Sequence, residues 1–189
     1  INDRTALVSV MAVNNEIGVI QPIREIGALC QKAKALFHTD AAQAGGKIPL
    51  DVNAMHIDFL SLSSHKMYGP KGIGALFVRR HPRARLEPIF SGGGQERGLR
   101  SGTLPSQLCV GFGEACKISG EEMDYEAERV RILSSRFMHY ISQSDFEIKL
   151  NGSKNRRWQG NLNLLFAGTD AEAVINAVET VCISSGSAC

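Results

Sequence analysis

Two short stretches carry side chains whose types and spacing suit bond-making chemistry. In His38-Thr39-Asp40-Ala41-Ala42-Gln43, one acid sits among small residues that let a flat ligand approach the backbone. A carboxylate there can hold a positive charge on a heteroaromatic nitrogen, or it can simply cap a helix that follows. In Ser63-Ser64-His65-Lys66-Met67-Tyr68-Gly69-Pro70-Lys71-Gly72, a lysine stands among hydroxyls, an imidazole and glycines. An amine in such surroundings can do imine chemistry once its charge is disfavoured, whereas the ordinary fate of a lysine is to lie on the surface. The second stretch is similar to a phosphate-binding loop but lacks the GxxxxGK[ST] spacing of P-loop nucleotide hydrolases.

These side chains need elements to place them. Residues 6–13 form a nearly continuous apolar run, as in a strand buried on both faces, and Asn14-Asn15-Glu16-Ile17-Gly18 ends it with turn chemistry. Pro22 suits a first helical turn, and Ile23, Ile26, Leu29, Cys30 and Ala33 follow at helical spacing. A short strand over 35–39 leads to Asp40, another over 57–63 leads to Ser64, and a glycine turn opens a strand over 72–78. The order strand, helix, strand implies right-handed crossovers in a mainly parallel sheet flanked by helices. A long helix is expected over about 107–141, with a break at Gly120. A loop over 151–160, a strand over 161–166 and a helix over 170–178 complete the expectation, with Asp170 near the helix start. Two domains follow from this: 1–120 holds the site, and 121–189 holds the long helix and the start of a smaller unit.

In open α/β sheets, ligands bind beyond the carboxyl ends of the strands. That rule selects Asn14, Asn15, Asp40, Gln43 and the Ser63–Lys66 stretch together. An acid and a lysine on successive strand ends meet the needs of pyridoxal phosphate: the lysine holds the aldehyde covalently, the acid keeps the pyridine nitrogen charged, and hydroxyl and imidazole donors bind the phosphate.

Composition narrows the field. The 189 residues carry 21 Lys and Arg against 19 Asp and Glu, a formal charge of +2, which offers no footprint for nucleic acid or an anionic membrane. No run approaches the roughly 18 apolar residues of a membrane span. Five cysteines without a CxxC pair argue against a secreted disulfide framework and against a zinc ribbon. Cys30, Cys109, Cys116 and Cys182 lie in apolar contexts and are expected in the core. Cys189 instead ends a Ser184-Ser185-Gly186-Ser187-Ala188 run, where burial is a poor fit and a mobile nucleophile a good one. The basic run 79–85 is expected to be a solvated turn, and Glu126, Glu128, Arg129 and Arg131 an exposed helix face. Ile1 at one end and a Gly/Ser-rich loop at the other suggest a piece of a longer protein, incomplete at both ends.

Six ordered blocks then identify a resemblance. Besides 14–18, 38–43 and 63–72 they are Gly92-Gly93-Gly94-Gln95-Glu96-Arg97-Gly98, Arg100-Ser101-Gly102-Thr103 and Ser184 to Cys189. Together they resemble the cysteine desulfurases of the NifS/IscS type, within the fold-type-I pyridoxal-phosphate enzymes and closest in wording to the mitochondrial and α-proteobacterial branch. The resemblance implies conversion of L-cysteine to L-alanine, with the sulfur passed to a cysteine of the enzyme for iron–sulfur cluster assembly. By that resemblance Lys66 carries the cofactor and moves the α-proton, Asp40 partners the pyridine nitrogen, and Gln43 donates to the ring's phenolic oxygen. Asn15 lies near ring and substrate, Ser63 and His65 bind phosphate, Thr103 reaches the phosphate of the neighbouring subunit, and Cys189 takes the sulfur as a persulfide. A homodimer, an iron–sulfur scaffold protein, small accessory proteins and a place in the mitochondrial matrix, or alternatively in bacterial cytoplasm, are implied with it. Ser64, where glycine is usual, and Gly45, where a larger apolar residue is common, depart from the pattern. Competing readings are another fold-type-I enzyme (a selenocysteine lyase or an aminotransferase) and a non-catalytic or complementing fragment.

Overall fold

The computed structural model describes residues 1–80, 86–178 and 180–186. Four strands form the main sheet in the order β1 (Leu7–Met11), β2 (Leu36–Asp40), β3 (Phe59–Ser63) and β4 (Gly74–Val78). The first three are parallel, with Met11 opposite Asp40 and Asp40 opposite Ser61. β4 runs antiparallel to β3 and closes one edge, an exception to the parallel order that the sequence pattern did not signal.

Helix α1 (Ile23–Ala33) makes the β1–β2 crossover. Ile23, Gly27 and Cys30 form its buried face, against which Phe37 of β2 packs with no exposure at all. The approach is close: a Cβ on Gly27 would lie 2.0 Å from the Met55 carbonyl oxygen. Lys34 ends the helix in the left-handed region at φ 58°, and its N–H bonds back to the Cys30 and Gln31 carbonyls.

A polar staple pins the entry to β2 and β3 and the exit from β4. Asp58 accepts from the Phe37 N–H at 2.9 Å and pairs with Arg79 at 3.5 Å. Arg79 also donates to the Ile57 carbonyl at 2.9 Å, to Asn53 at 3.0 Å and to the Val52 carbonyl. Each buried donor is thus matched, which lets a guanidinium sit where it is largely desolvated.

Helix α2 (Ser106–Ile141) runs 36 residues without the break expected at Gly120. Its amino-terminal half lies over the turns that follow β2 and β3. Small residues permit this: added Cβ atoms at Gly46 and Gly69 would lie 2.7 Å from Ser119 and 3.0 Å from Ala115. Further along, Arg129 clasps Glu126 and Arg131 clasps Glu128, each at 2.7 Å on an exposed face, as expected.

The chain divides into two compact units: Ile1–Ala12 with Pro22–Met123, and Val13–Gln21 with the chain from Asp124 onward. The second unit holds β5 (Ile148–Leu150) antiparallel to β6 (Leu164–Phe166), and α3 (Ala171–Ala177), capped by Asp170, which accepts from the Ala173 N–H at 3.0 Å. β5 had no counterpart in the sequence reading. Of the four cysteines expected in the core only Cys30 is buried; Cys109 on α2 and Cys182 after α3 are exposed, because an apolar neighbourhood in sequence does not say which side of a segment is covered. The solvated turn expected over 79–85 lies mostly outside the described residues.

Candidate active site at the strand ends

In the first unit, β2 ends at Asp40 and β3 ends at Ser63, and a 3-10 turn (Ser64–Met67) carries His65 and Lys66 directly onward. Strand pairing alone therefore brings Asp40, Ser63, His65 and Lys66 to one edge of the sheet. Tyr68 closes the turn in the left-handed region at φ 62°. Met67 and Ser64 are buried beneath it, so the lysine-bearing turn is anchored at both ends while His65 is exposed and Lys66 half-buried.

Asp40 accepts from the Ala42 N–H through one carboxylate oxygen at 2.9 Å. It therefore does turn the chain, but the segment it opens is a turn and not the helix that the capping alternative requires, and the residue stays exposed. Ser63 Oγ lies 3.0 Å from His65 Nδ1, which couples the hydroxyl and imidazole into one polar pair. Below Asp40, on the same face of the sheet, His38 spans three strands: its Nδ1 meets Ser9 Oγ at 2.7 Å and its Nε2 meets Ser61 Oγ at 2.9 Å. The sequence offered no role for His38; alternation along β2 was the signal that it shares Asp40's face.

Gln43 and Lys47 follow on the turn after β2. Lys47 Nζ donates to Gln43 Oε1 at 3.3 Å. Burial, and then the neighbouring Lys66 ammonium, hold the Lys47 amine below its ordinary range. Lys47 was not among the expected site residues, although its place four residues after Gln43 was legible.

The two departures also have structural settings. A Cβ on Gly45 would lie 2.8 Å from Leu62 and 3.0 Å from the Met67 sulfur, so those larger side chains fill the space a bulkier residue would need. Ser64 is fully buried, and among the described residues its hydroxyl has no hydrogen-bond partner, as is true of the Thr39 hydroxyl beside Asp40.

Thr103 lies exposed in the loop before α2, next to Gly102, whose N–H donates to Gln95 at 2.9 Å. Asn15 belongs to the second unit. Its loop is held by residues that the sequence pattern places in a strand over 161–166: Asn161 donates to the Asn15 carbonyl at 3.1 Å and Asn163 to the Glu16 carbonyl at 3.2 Å. The Ile20 N–H bonds to the Arg156 carbonyl and the Trp158 N–H to the Gly18 carbonyl. Arg157 is buried there, donating to the carbonyls of Asn151 and Asn161, and desolvation lowers its guanidinium's affinity for its proton. Cys189 lies outside the described residues. Among the described residues no cluster of three or more His, Cys, Asp or Glu is arranged for a metal ion, and no helix is long and apolar enough to cross a membrane.

A parallel sheet with an acid, an amide, a hydroxyl–imidazole pair and a lysine at its strand ends defines a class: the pyridoxal-phosphate transferases of fold type I, mainly parallel and flanked by helices. The chain belongs to the aminotransferase class-V family, which matches residues 1–189. It is 57% identical over 189 residues to a protein named cysteine desulfurase IscS from Rickettsia typhi, covering all of this chain and 46% of that one. It is equally 57% identical to a probable mitochondrial cysteine desulfurase from Dictyostelium discoideum, covering 42% of it. Among solved structures it resembles a NifS-like protein from Rickettsia africae (TM-score 0.89, 31% identity, 97% of this chain and 51% of that one). It also resembles DndA from Streptomyces lividans (TM-score 0.82, 41% identity, 93% and 50%). The chain spans about half the length of the curated relatives it matches. The donor set is chemically compatible with the family's cofactor: an acid, a hydroxyl–imidazole pair and a lysine lie at the carboxyl ends of adjacent parallel strands.

Proposed function

We propose that this chain supplies the cofactor-holding core of a cysteine desulfurase, which takes sulfur from L-cysteine, leaves L-alanine and serves iron–sulfur cluster assembly. The observation that carries the reading is the delivery of Asp40 and Lys66 to one edge by adjacent parallel strands, with the Ser63–His65 pair between them in sequence. Pyridoxal phosphate, when bound, supplies an electron sink for charge developing at the substrate's α-carbon. Asp40 keeps a proton on the ring nitrogen through the carboxylate oxygen that does not serve the turn. Gln43 donates to the phenolic oxygen, and Ser63 and His65 donate to the phosphate. Lys66 would hold the group by its amine and would serve as the base for the substrate's α-proton. The Cys189 thiolate attacks the substrate's sulfur; the carbon–sulfur bond breaks, sulfur stays on Cys189 as a persulfide, and the carbon it leaves is protonated to give alanine.

The proposal includes a homodimer in which Thr103, exposed on its loop, reaches the partner's phosphate, with Asn15 beside ring and substrate. It also includes a scaffold protein as sulfur acceptor and small accessory proteins. The mitochondrial and bacterial names among the relatives support the mitochondrial matrix or, alternatively, bacterial cytoplasm. A second reading, a half-site that works only with further polypeptide, is favoured by the exposure of Asp40 and His65.

Borohydride trapping tests both. The chain is incubated with pyridoxal phosphate, reduced and mapped by mass spectrometry, alone and with the rest of a full-length relative supplied. An adduct confined to Lys66 supports the desulfurase reading, and adduct formation only in the supplemented sample supports the half-site. Label scattered over surface lysines in both samples overturns the assignment of Lys66.

A further inference from the structure

Gln43 is an ambiguous donor. A glutamine amide can present either its oxygen or its nitrogen, and only the nitrogen can donate to a phenolic oxygen. The neighbour decides which. Lys47 offers three donors and no acceptor, so the Gln43 atom that it contacts at 3.3 Å must be the oxygen. That contact leaves both hydrogens on Gln43 Nε2 directed elsewhere.

The turn that makes the contact is itself braced. The Ala44 N–H bonds to the Ala41 carbonyl at 2.9 Å, and the Lys47 N–H bonds to the Ala44 carbonyl at 3.0 Å. Gly46 between them has φ +70°, and its missing side chain lets Ser119 of α2 pack onto the turn. Lys47 is half-buried, so its stem is held by packing and its ammonium has little freedom to leave the amide. The lowered proton affinity of Lys47 fits an amine confined near a second cation.

We infer that Lys47 is a positioning residue: its ammonium takes the Gln43 oxygen and thereby fixes Gln43 as a hydrogen-bond donor toward the phenolic oxygen of pyridoxal phosphate. The inference rests on the cofactor reading proposed above.

The test uses the full-length protein loaded with pyridoxal phosphate and follows the pH titration of the cofactor's visible absorption band. A donor on the phenolic oxygen lowers the midpoint of that titration, because it drains charge from the oxygen that stabilises the protonated imine. Lys47→Met is expected to raise the midpoint by about one pH unit, and Lys47→Arg to restore most of it. In a Gln43→Ala background Lys47→Met is expected to add no further shift, since the effect passes through the amide. Far-ultraviolet circular dichroism verifies that each variant is folded. A folded Lys47→Met protein that titrates like the parent overturns the inference, as does a shift of the same size in the Gln43→Ala background, which would mean direct action of the charge. A parent that shows no cofactor band overturns the cofactor reading and the inference with it.

Discussion

Asp40 has two carboxylate oxygens, and only one serves the local turn. An asparagine there keeps an oxygen for the Ala42 N–H but cannot hold a proton on a pyridine nitrogen. On the desulfurase reading proposed above, Asp40→Asn in the full-length protein should therefore leave the melting temperature within a degree or two of the parent and reduce cysteine-dependent alanine formation by at least about a hundredfold, roughly 3 kcal/mol of transition-state stabilisation. Thermal unfolding and an alanine assay check the two halves. Equal losses in stability and turnover would return Asp40 to the role of a cap. Asp40 and Lys66 were legible as residues because strand ends are marked by where apolar runs stop. Lys47 was not, since a lysine in a glycine-rich turn reads like any surface cation until its amide partner and Ser119 are placed around it.

At the scale of elements, the crossover depends on how closely α1 approaches the chain before β3. Gly27→Ala places a methyl 2.0 Å from the Met55 oxygen, and backbone cannot yield as a side-chain tip can. A loss of about 3 kcal/mol is expected, read as a lower denaturant midpoint with an unchanged slope. Helix α2 gives a pH prediction. Glu126 and Glu128 are held below their ordinary carboxyl range by hydrogen bonds from Arg129 and Arg131, respectively. A carboxyl with a lowered folded value contributes stability that is complete above its unfolded value and is lost as pH falls through the folded one. The contribution is therefore present above the ordinary value of 4.5 and fades below it. Both pairs are on an exposed face, so the effect is small and weakened by salt. The Glu126→Gln/Glu128→Gln double variant should show a shallower fall in melting temperature between neutral pH and acid at low ionic strength, with no difference in high salt. The helix itself was readable from its spacing. The antiparallel course of β4 was not, because a strand of five residues after a glycine turn fits either direction.

At the scale of the whole molecule, residues 13–21 belong to the unit formed by the later part of the chain, although they follow β1 directly. Asn161 holds the Asn15 carbonyl, and its own Oδ1 is buried without a partner among the described residues. Asn161→Asp would set a carboxylate oxygen against that carbonyl, a loss of about 1–3 kcal/mol locally. Hydrogen exchange of the amides at 14, 17, 18 and 20 should quicken by about tenfold or more, while the β1–β4 sheet exchanges as before. Unchanged exchange over 14–20 would remove Asn161 from its role in ordering the asparagine loop. Sequence by itself determined what local chemistry and chain direction dictate: where apolar runs stop, and therefore which acid, amide, hydroxyl, imidazole and amine lie at strand ends. Only the tertiary structure decided how those groups are oriented and held. His38 bridging Ser9 and Ser61, Lys47 turning Gln43, and Asn161 gripping a loop 146 residues earlier all depend on contacts between segments whose sequence separation no local pattern encodes.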